Sequence, residues 1–72
     1  MSKKHKRLDK ICRNIKNVSL DDFEALIDEY GYIEEGGKHP KAIIGIHTMP
    51  YKRENPVKYC YVKELIDIIN GL

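Results

Sequence analysis

The hydropathy pattern predicts an α+β domain: a small three-stranded antiparallel sheet with helices on one face, in the order α-α-β-β-β-α. Apolar residues recur at three- and four-residue spacing in three separate stretches, and each reads as one face of a helix. Between the second and third stretches lie short β-branched runs broken by glycines, which read as strands. A chain of 72 residues has room for one core, and packing helices against one side of a sheet buries a single apolar layer. The other side of that sheet is expected to face solvent or a partner.

In chain order, Leu8, Ile11, Cys12 and Ile15 predict a short amphipathic helix over residues 8–16 with a basic outer face. Ser19 is a good N-cap, and Asp21, Asp22 and Glu24 follow in the first turn, where the helix dipole favours negative charge. Leu20, Phe23, Leu26, Ile27 and Tyr30 then form one stripe, which places a helix over residues 20–30. Gly31 stands where a left-handed residue would end it. Tyr32 and Ile33 begin a strand, Gly36 and Gly37 turn the chain, and Ala42, Ile43 and Ile44 form a second strand. Gly45 marks a tight turn or a bulge before a third strand over residues 46–51, broken by Pro50. From Lys58 onward Tyr61, Val62, Leu65, Ile66 and Ile69 predict a closing helix over the sheet, stopped by Asn70 and Gly71.

The net charge of +2 hides an asymmetry. Residues 1–17, expected as a basic segment, carry seven Lys and Arg against Asp9, a net of +6. Residues 18–72, expected as the folded α-β-β-β-α domain, carry six cations against ten acids, a net of −4. The basic segment could follow a phosphate backbone, each contact releasing a counterion, or simply be a solvated helix face. No stretch approaches the roughly 20 apolar residues of a membrane span, and no uninterrupted apolar run follows the basic N-terminus as in a secretory signal. A cytoplasmic protein is expected. Cys12 and Cys60 lack the close pairing of a zinc or redox motif and read as small buried hydrophobes. Three scattered histidines complete no metal site, no nucleotide fingerprint occurs, and no metal or cofactor is expected.

Chemistry concentrates at Gly36-Gly37-Lys38-His39-Pro40. Paired glycines admit a bulky group close to the backbone, and an ammonium and an imidazole follow at once. Cleaving RNA without a metal needs a group to move a proton near neutral pH and a cation to offset charge on phosphate. His39 suits the first task and Lys38 the second. The same five residues also read as a plain hairpin turn in which His39 merely begins a strand. His47 could be a second acid/base group if its strand returns beside His39, or a solvent-facing strand residue. Tyr51, Lys52 and Arg53 could stack on a base and hold phosphate, or form an ordinary turn after Pro50. Ser19 has no partners for a nucleophile, and its capping role explains it.

The run Tyr30-Gly31-Tyr32, then Gly36-Gly37-Lys38-His39, strand residues leading to Met49-Pro50, and the closing Tyr61-Val62-Lys63-Glu64-Leu65-Ile66 resembles the HicA toxins. Lys16-Asn17-Val18-Ser19-Leu20-Asp21-Asp22-Phe23 is similar to the start of longer members, so the likeness spans residues 16–70. It implies a fold like a double-stranded-RNA-binding domain, an mRNA interferase activity, and neutralisation by a HicB antitoxin. The family's glycine, small or basic residue, and histidine fall on Gly37, Lys38 and His39, which makes His39 the implied catalytic histidine. Two features depart from the family pattern. Tyr51 and Lys52 stand where members often carry a second histidine after the proline, and the interval from His39 to Pro50 is shorter than usual. Two other readings remain open: a non-catalytic module that binds duplex RNA by shape, and a degenerate member whose acidic helix (Asp21, Asp22, Glu24, Asp28, Glu29) meets a basic protein partner.

Overall fold

A computed structural model describes residues 4–72 of the chain, with side chains from Lys6 onward. Lys3 and the side chains of Lys4 and His5, part of the expected basic segment, lie outside the described residues. The elements are α1 (Lys4–Arg13), α2 (Leu20–Tyr30), β1 (Tyr32–Glu34), β2 (Lys41–Ile44), β3 (His47–Pro50) and α3 (Tyr59–Asn70). The strands form one antiparallel sheet in the order β1-β2-β3, the expected α+β arrangement.

The central element is α2, which packs against α1, β1, β2 and α3. Its start is capped twice. The Ser19 hydroxyl accepts the Asp22 N–H at 3.1 Å, and the Asn55 side-chain oxygen, from the segment after β3, accepts the Leu20 N–H at 3.1 Å. A bridge between Val18 and Val57, with the Val57 N–H donating to Val18 at 2.9 Å, binds the same two segments again. Phe23, Leu26 and Ile27 are fully buried on the inner stripe of α2. Val62, Leu65 and Ile69 of α3 and Ala42, Ile44 and Met49 of the sheet join the same core.

Cross-strand partners share a face of the sheet. The rows Ile33–Ala42–Met49 and Ile44–His47 therefore look toward the helices, and Tyr32–Ile43–Thr48 and Glu34–Lys41–Pro50 look away. On that outer face every residue but the half-buried Ile43 is exposed, as the single-layer reading requires.

Four details differ from the sequence reading. First, α1 ends at Arg13 instead of residue 16, because Asn14 and Asn17 carry the chain through turns, each donating to a carbonyl three residues back at 3.1 Å. Second, Ile46 belongs to a two-residue turn, so β3 begins at His47. Gly45 takes φ +60° while Ile46 does not reach positive φ, the pattern of a type II′ hairpin, and Ile46 is 96% exposed. Third, Gly31 is extended, at φ −169°, and is required for space: a Cβ there would sit 1.9 Å from the Ile43 carbonyl oxygen. Fourth, Cys12 and Cys60 are exposed. Cys60 projects away from the Val62–Leu65–Ile69 stripe, and α1 touches the core over a strip too narrow to cover Cys12.

Residues 6–17 share the core with the rest of the chain. Leu8 and Ile11 are buried against α2, and burying each is worth roughly 1.5–3 kcal/mol. Arg7 pairs with Glu29 and Lys10 with Asp22, but partly exposed pairs are worth about 0–1 kcal/mol each. Apolar contact is what docks α1. Ile11→Ala is expected to cost about 2–5 kcal/mol in urea unfolding and Lys10→Ala under about 0.5 kcal/mol. Gly31→Ala is expected to lower the melting temperature more than any other single glycine-to-alanine change, since backbone must move to admit the methyl group.

Candidate functional site

Residues 35–40 connect β1 to β2 and carry the glycine pair and His39. Gly36 and Gly37 lie at φ +134° and +71°, conformations that L side chains rarely adopt, with open space where a Cβ would stand. Glu35, Lys38 and His39 are exposed. The end of the loop is held by the Tyr51 N–H, which donates to the Pro40 carbonyl at 3.1 Å, and β2 continues with Lys41 opposite Pro50.

This register decides which predicted residues meet. Pro40 faces Tyr51, so Lys38 and His39 just before it and Lys52 just after Tyr51, all exposed, share the open end of the β2–β3 hairpin. Lys41 begins β2 on the outer face, between Glu34 and Pro50. The sequence reading missed Lys41, although its place two residues beyond His39, at the start of an alternating strand, was a usable signal. No ion pair among the described residues involves Lys38, Lys41 or Lys52. Among those residues the His39 ring makes no hydrogen bond. The open end of the hairpin thus carries an exposed imidazole and three exposed lysines, Lys41 standing opposite Glu34 in the sheet.

Three expectations are corrected. His47 is not beside His39: it pairs with Ile44 at the turn end of the hairpin, roughly 10 Å of strand away from the Lys41–Pro50 pair. Tyr51 offers no ring for a base to stack on. It is 1% exposed, its ring edge-on to Phe23 at 5.0 Å, and its hydroxyl donates to Glu24 Oε2 at 2.6 Å. Arg53 is already engaged. Its Nε donates to Glu24 Oε2 at 2.7 Å, and Nη1 and Nη2 bind the two Glu35 oxygens at 2.9 and 2.5 Å. Of the acids of α2, Asp22, Glu24 and Glu29 each bind a cation of the chain, while Asp21 and Asp28 are exposed and in no ion pair among the described residues.

The network shifts its own ionisations. The Arg53 hydrogen bonds hold the Glu35 carboxyl below its usual range, and bonds from Glu35 and then Glu24 push the Arg53 guanidinium further up. Burial first, then the hydrogen bond to Glu24, pushes the Tyr51 phenol well above the ordinary tyrosine range.

Comparison with protein-family models, curated protein sequences and solved structures returned no match. Among the described residues no cluster of His, Cys, Asp or Glu could hold a metal ion, and no helix is long and apolar enough to cross a membrane.

A raised tyrosine pKa stabilises the fold fully below the unfolded value of about 10, and that contribution is lost as pH climbs above it, because only the unfolded chain then releases the proton. Urea midpoints between pH 9 and 11 should therefore fall less steeply for Tyr51→Phe than for the parent, by up to about one proton in the linkage slope.

Proposed function

We propose that this chain is a HicA-like toxin, an endoribonuclease that cleaves mRNA without a metal, works in the cytoplasm and is neutralised by a HicB-like antitoxin. The observation that supports it best is the exposed His39 imidazole at the open end of the hairpin, which also carries the exposed Lys38, Lys41 and Lys52, none of them in an ion pair among the described residues. The α-β-β-β-α order of residues 20–70 agrees with the fold that the resemblance implies.

In the proposed reaction the ribose 2′-hydroxyl attacks the adjacent phosphorus and the 5′-oxygen leaves. His39 takes the first proton or supplies the second, and solvent handles the other. The lysine ammonium groups and the open backbone at Gly36 and Gly37 offset charge growing on the phosphoryl oxygens. Lys6, Arg13 and Lys16, exposed on the first segment, would add salt-dependent grip on the strand.

One observation favours the alternative of an RNA-binding module without catalysis: His39 has no second acid/base side chain hydrogen-bonded to it among the described residues. A single substitution separates the two. His39→Ala should reduce cleavage of unstructured RNA by about 100-fold or more and abolish growth arrest on induction, with circular dichroism and melting unchanged. Cleavage at the parental rate in that variant would refute the nuclease. An uncleaved duplex RNA bound equally by parent and variant would establish the binding module.

A further inference from the structure

We propose that Arg53 is the positioning residue of the His39 loop, clamping Glu35 at the loop's start to Glu24 on α2 while Tyr51 holds Pro40 at its end. The proposal rests on the reading of His39 as the group that cleaves RNA.

The loop has little else to hold it. Its two glycines are costly to order and contribute no side chain to packing, and nothing approaches the places where their Cβ atoms would be. Glu35, Lys38 and His39 are exposed, so the loop is fixed only at its ends. At the far end there is one backbone bond, from Tyr51 to Pro40. At the near end the Arg53 fork meets both Glu35 oxygens, the geometry that makes arginine–carboxylate pairs directional. The third donor used, Nε, shares Glu24 Oε2 with the buried Tyr51 hydroxyl. Arg53 thus ties an exposed glycine loop to a side chain anchored in the core. Because both of its carboxylate partners come from the chain itself, Arg53 is not the cation that meets phosphate. That role falls to Lys38, Lys41 and Lys52.

The test compares Arg53→Ala, Glu35→Gln and Lys52→Ala in the full chain. Backbone ¹⁵N order parameters at Gly36, Gly37, Lys38 and His39 should lie near the rigid value of about 0.85 in the parent. They should drop below about 0.6 in Arg53→Ala, with the strands unchanged. Glu35→Gln should loosen the same four amides less, because it keeps hydrogen-bonding oxygen but not the charge. In cleavage assays Arg53→Ala should lose on the order of 10–100-fold in kcat, with KM and its salt dependence as in the parent. Lys52→Ala should instead lower the salt slope of binding by about 0.7. Unchanged order parameters in Arg53→Ala would overturn the clamp, as would a fall in its salt slope matching that of Lys52→Ala. If His39→Ala cleaves normally, the nuclease reading fails, and the order parameters alone then decide whether Arg53 holds the loop.

Discussion

Tyr51 links the core, the polar flank of α2 and the end of the His39 loop through one residue. Its ring lies against Phe23 in the core, its hydroxyl reaches Glu24 on the polar flank of α2, and its backbone amide grips Pro40. A buried phenol needs a hydrogen-bond acceptor, and a carboxylate beside a buried ring is well placed to hold a cation as well. Arg53, two residues on, fills that place. From one aromatic side chain the structure therefore obtains a filled core, a fixed carboxylate and a held loop.

The acidic helix acts as an internal counterion. Its Asp22 and Glu29 take up Lys10 and Arg7 of α1, and its Glu24 takes up Arg53. Cations with no such partner among the described residues include Lys6, Arg13 and Lys16 along the first segment, Lys38, Lys41 and Lys52 at the open end of the hairpin, and Lys58 and Lys63 at and just after the start of α3. The asymmetry of the sequence is thus redistributed by folding. The basic head and the acidic body meet in the Arg7–Glu29 and Lys10–Asp22 pairs, and most of the remaining charges of both stay in solvent.

How much of this could be read in advance depends on how local the cause is. The bounds of α2 were legible because the Ser19 cap, the acids of the first turn and the apolar stripe all lie within a dozen residues. The exposure of His39 follows from the glycines beside it and was legible for the same reason. Tyr51 was not. An aromatic residue next to two cations reads alike whether it faces solvent or the core, and here the choice is made by Phe23 and Glu24, on an element far back in the chain. The same holds for Arg53, whose partners lie 29 and 18 residues away. His47 was misplaced because its neighbours depend on the hairpin turn. With Gly45 and Ile46 both in that turn, His47 is left opposite Ile44, at the end remote from the loop.

The three-stranded sheet has two unpaired borders, β1 and β3, each with hydrogen-bonding groups that another chain could use. Here β1 is only three residues long and ends on Glu34, and β3 is four residues long and ends on Pro50, which has no N–H to donate. Neither border offers a ladder long enough to template growth. Short outermost strands that end on a carboxylate and a proline are among the devices by which small sheets discourage edge-to-edge pairing with other chains.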